Sequence, residues 1–264
     1  MHDRHSNRQQ YFEEQSTATE RYILPYINEV LRVSSCLTVA EIGCGYGGNL
    51  KPFLDKGCRV FGIDINPNSM KIAESFYENN PNRKNLHLLT RDIYKVTPDE
   101  IPALDLIFMR DTLEHIHNQK QFLQHIKMFL KPKGKLFLAF PPWCMPFGGH
   151  QQVCNSKFLS KLPYFHILPK VLYRAILKLF GENENKINSL LEIKDTKISI
   201  HKFYKLVKQQ RFIVEKQTFY LVNPNYEVKF GIKPRILPRF LNIPFVREFF
   251  TTTCYFVLSL TEGV

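Results

Sequence analysis

The stretch VAEIGCGYGGN, from Val39 to Asn49, decides the fold of this chain. Its apolar start predicts the end of a buried strand. Four glycines follow and predict a sharp turn into a helix that begins near Asn49: Gly43, Gly45, Gly47 and Gly48. Glycine lets the backbone approach a bound molecule without a Cβ in between, and a helix start offers unpaired N–H groups. The stretch therefore predicts a ligand site at the end of the first strand.

The glycine spacing fits two different cofactors. Gly43, Gly45 and Gly48 match G-x-G-x-x-G, the dinucleotide fingerprint, and Asp64 stands where that fingerprint needs an acid for the ribose. Glu41, however, extends the pattern to E-x-G-x-G-x-G, which resembles the first motif of the class I S-adenosylmethionine-dependent methyltransferases. The resemblance implies that this loop lies beside the methionine and ribose of the cofactor. It assigns cofactor contacts here to Glu41, Gly43, Cys44, Gly45 and Gly47.

Two carboxylates follow the next two strands. Cys58 to Ile63 reads as a second strand that ends in Asp64, and the vicinal hydroxyls of a ribose can both donate to a carboxylate at that place. Asp64 could instead be a plain acid at a helix N-terminus. Leu86 to Leu89 reads as a third strand before Asp92, and the resemblance implies that Asp92 accepts from the adenine amino group. A surface Asp paired with Arg91 or Lys95 would read the same way.

A longer passage separates the two cofactors. Leu104 to Met109, LDLIFM, is nearly all apolar and predicts a fourth strand buried on both faces. It leads through Arg110 to LEHIHN, a helix, and KPKGKLFLAF, whose last five residues predict a fifth strand. This order resembles the small-molecule, ubiquinone-biosynthesis-like (type 11) branch of the same methyltransferases, and dehydrogenases do not usually carry it. The resemblance adds Ile65, Ile93 and Arg110 to the expected cofactor contacts.

The pattern predicts an α/β fold, a Rossmann-like seven-stranded methyltransferase sheet with helices on both faces. The 264 residues are expected to form a single domain. It would comprise a helical cap (1–36), a cofactor-binding core (37–141), a lid insertion after strand five (142–198), and the C-terminal part of the sheet (199–264) with its own insertion (223–250). Within the lid, LPKVLYRAILKLFG predicts a basic amphipathic helix that either covers the site or lies on a membrane surface, and GENENKINS predicts a polar connection.

Composition limits the classes of function. No run of 18 apolar residues and no apolar N-terminal core exist, so we expect neither a spanning helix nor a signal peptide, and a cytoplasmic location. The six cysteines have no C-x-x-C pair and are expected to be free thiols. Cys144, His150 and Cys154 are close in sequence but lack metal-site spacing, so no metal is expected. The net charge is +12, with +10 carried by residues 141–264, which suits an acidic substrate, a nucleic acid or an anionic membrane.

Catalytic residues are harder to read than cofactor residues. PPWCMPFGGHQQ follows strand five, where the strand ends converge, and predicts an acceptor loop in which Trp143 and Phe147 cover an organic substrate. We expect His150 of that loop to take a proton, and His115 to face the methyl acceptor or to cap and pack. His115 and His117 are two residues apart on a predicted helix, so they are not expected to share a metal.

The sequence thus predicts a methyltransferase that uses S-adenosyl-L-methionine, yields S-adenosyl-L-homocysteine and acts on a small organic acceptor, acidic or aromatic. Three alternatives stay open. The basic second half would suit a tRNA or other nucleic-acid methyltransferase. Tyr204 and Lys208 form the Y-x-x-x-K pair of NAD(P)-dependent short-chain dehydrogenases. A non-catalytic binding protein could retain the same fold.

Overall fold

A single mixed sheet forms the centre of the computed structural model, which describes residues 7–261. Residues 1–6 of the expected cap and 262–264 at the C-terminal end lie outside the described residues. The strand order is β3-β2-β1-β4-β5-β8-β6-β7. In chain order the strands are β1 Thr38–Ile42, β2 Arg59–Asp64, β3 Leu86–Thr90, β4 Leu104–Arg110, β5 Leu130–Phe140, β6 Phe212–Val222, β7 Arg235–Ile236 and β8 Thr253–Leu260.

The sheet confirms the Rossmann-like prediction but has one more strand than expected. Strands β1 to β5 are parallel to one another, whereas β8 is antiparallel to both β5 and β6. The extra strand is the two-residue β7, which pairs with β6 through Tyr220 and Val222. It arises from the 223–250 segment, whose prolines and basic residues gave no strand signal.

Helices cover both faces of the sheet. They are α1 Arg8–Ala18, α2 Leu24–Asn28, α3 Lys51–Asp55, α4 Pro67–Tyr77, α5 Gln119–Ile126, α6 Lys170–Leu179, α7 Glu184–Thr196, α8 Ile200–Gln209, α9 Asn225–Phe230 and α10 Val246–Phe250, with a π-helical turn at Thr19–Ile23 between the first two. Within residues 7–261, no helix is both long and apolar enough to cross a membrane.

Strand β4 shows why helices must pack on both faces of the sheet. Leu106 and Phe108 face one hydrophobic cluster with α1 to α4, whereas Ile107 and Met109 face the other with α5 and α8. Successive side chains of a strand point to opposite faces, so an unbroken apolar run is buried only when both faces are covered. Because the parallel strands all end at the same edge, the loops after them meet there.

The N-terminal helix packs directly on the glycine loop. A Cβ built on Gly48 would lie 2.4 Å from the carbonyl oxygen of Phe12 in α1. Gly48 thus permits the close contact between α1 and the turn. This places the N-terminal segment beside the ligand edge of the sheet.

The segment after β5 has a small core of its own, built from Cys154, Leu159, Phe165, Tyr173, Leu177, Ile187, Leu190 and Leu191. The expected polar connection GENENKINS was wrong. Asn183 accepts a hydrogen bond from the backbone N–H of Lys186 and caps α7, whose Ile187 and Leu190 are buried. A local cap and an apolar face therefore outweighed the polar composition.

Candidate functional site

A cleft of about 380 Å³ opens at the carboxyl ends of β1, β2 and β3 and beside the segment after β4. Its lining comes from five chain segments: Ile42 and Gly43; Ile63, Asp64 and Ile65; Arg91, Asp92, Ile93 and Tyr94; Thr112, His115 and Ile116; and Glu192 of α7. Seven of these residues carry hydrophobic or aromatic side chains or none at all, and two carboxylates stand among them at strand ends. This combination suits an organic ligand with a few polar groups.

The loop glycines divide into two roles. Gly43 and Gly45 have φ of +75° and +54°, and within residues 7–261 a Cβ built on Gly45 would meet no atom within 4 Å apart from its chain neighbours. The backbone there is therefore open on the side where a side chain would project. Gly47 packs instead against Tyr77, whose hydroxyl donates to the Gly47 carbonyl at 2.6 Å. The glycines thus combine an open ligand edge with tight packing on the protein side.

Asp64 connects the end of β2 to that loop. Its Oδ2 accepts from the backbone N–H of Gly45 at 2.8 Å, and its Oδ1 accepts from that of Asn66 at 2.8 Å. Each oxygen keeps a further lone pair for a ligand hydroxyl. The next side chain, Ile65, is 71% exposed and forms part of the cleft wall. Ile65 therefore offers an apolar surface next to the carboxylate of Asp64, which accepts hydrogen bonds.

Asp92 is held in place by its own turn. Its Oδ1 accepts from the backbone N–H of Tyr94 at 3.1 Å, and the buried Ile93 beside it also lines the cleft. Arg91 binds Glu100 at 2.7 Å rather than Asp92. The sequence left open an ion pair between Arg91 and Asp92. In the structure Arg91 pairs with Glu100 instead.

Glu41 lies in a buried polar network under the loop. Asn49 donates to its Oε1 at 2.7 Å, and the Oδ1 of Asn49 accepts from Arg110 at 2.9 Å and from Thr19 at 2.9 Å. Burial raises the pKa of Glu41 well above its ordinary value, against the opposing effects of Asn49 and Arg110. Its Oε2 has no hydrogen-bond partner within residues 7–261. That oxygen could accept from a ligand cation.

Five of the expected cofactor residues are not part of the cleft lining: Glu41, Cys44, Gly45, Gly47 and Arg110. Cys44 is buried, with its Sγ 3.6 Å from the sulfur of Met70. Arg110 is buried and lies beside Asn49 and Asp111. Gly47 faces Tyr77, as described above. These residues set the shape of the loop, and backbone contact with a ligand at these positions stays a prediction.

His115 and His150, the two expected catalytic residues, lie together. Their ring centroids are 5.3 Å apart, and Nε2 of His150 is 3.8 Å from Oε1 of Glu114. The three side chains come from the segments that follow β4 and β5, which are neighbouring parallel strands. His115 lines the cleft, so this cluster borders it.

Burial dominates the electrostatics of this cluster. It lowers the pKa of His150 to about 4, with His115 acting in the same direction and Asp111 opposing. It lowers the pKa of His115 and raises that of Glu114 well above the ordinary value, the latter assisted by the charge of Asp111. Both imidazoles are therefore neutral near pH 7 and have a free nitrogen lone pair.

The proposed acceptor loop is built differently from the prediction. Trp143 is buried and packs edge-on against His166, at 4.7 Å between ring centroids, so it does not cover a substrate. Gly148 and Gly149 permit close packing, because a Cβ on either would lie 2.2 Å from Trp143 or His166. His150 follows with φ of +56°. The loop is a packed support that presents His150.

Several cleft residues were not predicted. Thr112, Ile116 and Tyr94 lie within two residues of expected positions, so the strand-end rule could have found them. Glu192 gave no signal, because it belongs to the insertion and reaches the cleft only through the packing of α7; it contacts His117 at 3.0 Å. Tyr204 of the Y-x-x-x-K pair hydrogen-bonds Gln217 of β6 and does not line the cleft.

Comparisons with known proteins follow the same part of the chain. Residues 40–136 match a family model described as a methyltransferase domain. The chain is 28% identical over 113 residues to the sterol 4-C-methyltransferase of Caenorhabditis elegans, an alignment that covers 43% of this chain and 34% of that protein. It is 30% identical over 102 residues to a ubiquinone biosynthesis O-methyltransferase of Coxiella burnetii, covering 38% and 42%.

Solved structures agree at the level of the fold. A putative sarcosine dimethylglycine methyltransferase from Galdieria sulphuraria superposes with a TM-score of 0.60 at 14% identity, covering 93% of this chain and 85% of that one. The magnesium protoporphyrin IX methyltransferase of Synechocystis, solved with bound S-adenosylhomocysteine, gives 0.56 at 14% identity, covering 94% and 83%. By contrast, the sequence matches span only about a quarter to a half of the first curated relatives.

Proposed function

From the premise that this chain belongs to the class I S-adenosylmethionine-dependent methyltransferase family, we propose that it transfers a methyl group from S-adenosylmethionine to a small organic acceptor. The observation that carries the proposal is the cleft in which Gly43, Asp64, Ile65 and Asp92 meet at the ends of the parallel strands. The curated relatives are named for sterol, phosphoethanolamine, thiol and ubiquinone chemistry, all of which involves small molecules.

We assign the parts of the cofactor to residues of the cleft and of the glycine loop. Asp64 would accept from the ribose hydroxyls, and Ile65 would cover one face of the adenine. Asp92 would accept from the adenine amino group, and Ile93 would contact the adenine beside it. Gly45 would leave room for the ribose and methionine, and the backbone of Gly43 would line the same part of the cleft. Glu41, whose buried Oε2 makes no hydrogen bond within residues 7–261, would hold the amino group of the methionine part.

The cofactor supplies an electrophilic methyl group on a sulfonium. The protein then has to hold the acceptor in line with that methyl, which is the larger part of such catalysis. His115 and His150 stand at the cleft border, and we propose that they contact the acceptor end of the reaction. An acceptor that loses a proton needs one group to receive it, and an acceptor amine or thiolate needs none.

Calorimetry with S-adenosylhomocysteine tests the proposal, with NADH as the competing ligand. We expect saturable binding of S-adenosylhomocysteine and none of NADH. Binding of NADH alone would overturn the proposal and favour the dehydrogenase. If neither S-adenosylhomocysteine nor NADH binds, a non-catalytic protein is favoured.

Asp64→Asn tests the ribose contact. It should weaken S-adenosylhomocysteine binding by about 1.5–3 kcal/mol, because a hydrogen bond to a charged group is worth about that much. Asp55→Asn is the matched control, since Asp55 is an exposed carboxylate paired with Lys51 at 2.5 Å on α3. Equal affinities for Asp64→Asn and the unaltered protein would remove Asp64 from the site.

A further inference from the structure

Glu114 is a buried carboxyl group that makes no side-chain hydrogen bond within residues 7–261, and it lies beside two imidazoles. The residue is only 3% exposed. Neither of its side-chain oxygens has a hydrogen-bond partner within the described range 7–261. Burying a carboxyl group in this way is costly unless something pairs with it. The described residues therefore provide no hydrogen-bond partner for this carboxyl group, and a ligand could supply one.

The two imidazoles supply the rest of a ligand set. One ligand atom each from Glu114, His115 and His150 lies within 4.8 Å of the other two. Bonds of about 2.0–2.2 Å to zinc in a tetrahedral site place ligand atoms roughly 3.3–3.5 Å apart. His150 Nε2 and Glu114 Oε1 are 3.8 Å apart. Small side-chain rotations would thus close the set around an ion.

We propose that Glu114, His115 and His150 form a site for a divalent transition metal ion of the zinc type, with a fourth position open toward the cleft. Two imidazoles and one carboxylate with an open position are a ligand set found in catalytic zinc sites. The charge of Asp111 acts on all three side chains, and a nearby carboxylate favours a cation.

The metal site stands on geometry alone, whereas its role in catalysis rests on the proposed function. His115 lines the cleft, so the open position faces the acceptor. An ion there would bind a hydroxyl oxygen of the acceptor and lower the pKa of that hydroxyl, whose proton passes to water. The oxygen lone pair then forms the bond to the methyl, and the electrons of the sulfur–methyl bond return to sulfur. The acceptor class is therefore compounds with an acidic hydroxyl, such as phenols.

Direct binding of Zn²⁺ and Co²⁺ tests the site without any activity assay. The experiment uses a Cys36→Ser variant of the full chain, because the exposed Cys36 thiol would itself bind these metals. After treatment with chelator and removal of the chelator, we expect one Zn²⁺ bound per chain by calorimetry. Co²⁺ should give visible absorption of a four- or five-coordinate site, without the near-ultraviolet band of thiolate ligation. Added Zn²⁺ should also raise the unfolding temperature.

Three variants separate this site from other histidines. Glu114→Gln keeps the shape of the side chain, and His150→Asn removes one imidazole; each should weaken Zn²⁺ binding about a hundredfold or more, since even supporting residues of metal sites are worth 10–100-fold. His117→Asn is the matched control. It removes an exposed imidazole two residues from His115 and should leave the affinity unchanged. Circular dichroism establishes that each variant is folded.

The outcomes are distinct from those of the proposed function. Absence of saturable Zn²⁺ and Co²⁺ binding to the unaltered ligand set overturns the inference, whatever S-adenosylhomocysteine does. So does full affinity in Glu114→Gln, or a loss in His117→Asn as large as in His150→Asn. S-adenosylhomocysteine binding to the metal-free protein tests the cofactor site by itself. If that binding fails while the metal binds, the proposed function is wrong and the metal site remains.

Discussion

Gly45 differs from Gly43 and Gly48 in the space around the position that a Cβ atom would occupy. A Cβ on Gly43 would meet Thr112 at 2.5 Å, and one on Gly48 would meet the backbone of α1. A Cβ on Gly45 would meet no described atom within 4 Å. Gly43 and Gly48 need to be glycine for packing, whereas at Gly45 only the positive φ and the proposed ligand favour glycine. The sequence pattern treats these glycines alike, and only the packing separates them.

Gly45→Ala should weaken cofactor binding more than it weakens the fold. Its φ of +54° disfavours alanine by about 1–2 kcal/mol, and its Cβ would project where the ligand is proposed to lie. Gly181→Ala is the matched control, because Gly181 has φ of +77°, equally open space and a position at the end of α6. Denaturant unfolding should give similar losses for both variants.

Calorimetry with S-adenosylhomocysteine then distinguishes the two glycines. Only Gly45→Ala should lose affinity, by about tenfold or more, which corresponds to about 1.4 kcal/mol. Equal affinities for both variants would mean that the loop does not approach the cofactor at Gly45.

The insertion between β5 and α8 is an element in its own right, with one apolar cluster separate from the two that cover the sheet. Its helix α6 keeps Val171 and Leu179 83% exposed and packs through Tyr173 and Leu177 on α7. It is α7, through Glu192, that reaches the cleft. A lid role therefore belongs more to α7 than to the basic helix that the sequence singled out, and it stays a proposal.

Ile187→Ala should loosen the insertion while the sheet stays intact. Ile187 is fully buried in the insertion cluster, and such a truncation costs about 2–5 kcal/mol. Hydrogen exchange should speed up in α6 and α7 and stay unchanged in β1 to β4. The reason is that the insertion cluster shares no residue with the two clusters that pack on the sheet. Ile107→Ala, in the sheet core, is the matched control and should speed exchange in the strands. If Ile187→Ala speeds exchange throughout the chain, the insertion is not a separate unit of stability.

At the scale of the whole molecule, the strand pattern predicted the topology because strand ends and glycine turns are local signals. Asp64 and Asp92 were predictable as candidates for the same reason, since Asp64 ends β2 and Asp92 lies two residues after the end of β3. The group of Glu114 with two histidines was only half readable. Glu114 and His115 follow β4, and His150 follows β5, so parallel strands predict that they share one edge. Their approach to within 4.8 Å depends on a loop whose packing around Trp143 has no local signature.

Unfolding by acid reports on a second buried imidazole, that of His166. Its Nε2 donates to the Trp143 carbonyl at 2.7 Å, and its Nδ1 is buried without a hydrogen-bond partner among residues 7–261. Burial lowers its pKa to about 4, and nearby Lys194 acts in the same direction. A proton on Nδ1 would have no acceptor, so the folded state resists protonation.

The sign of the effect on stability follows from the two pKa values. In the unfolded chain His166 takes up a proton near pH 6.5, and in the folded chain only near pH 4. The contribution is therefore fully present above pH 6.5 and is lost as the pH falls toward 4. The loss should reach roughly 3 kcal/mol, from about 1.36 kcal/mol per pKa unit. The buried Glu41 has a raised pKa and acts in the opposite direction, so the effect must be isolated by substitution.

His166→Gln should remove this part of the acid sensitivity. Glutamine keeps a donor for the Trp143 carbonyl and does not titrate, so the variant should lose stability at pH 7 from poorer packing but lose less between pH 7 and pH 4. Urea unfolding at pH 7, 6, 5 and 4 measures the free energy of unfolding of both proteins. His117→Gln is the control, because the His117 side chain is 67% exposed and should leave the pH dependence as it is. Parallel curves for His166→Gln and the unaltered protein would show that burial of His166 does not make the fold acid-sensitive.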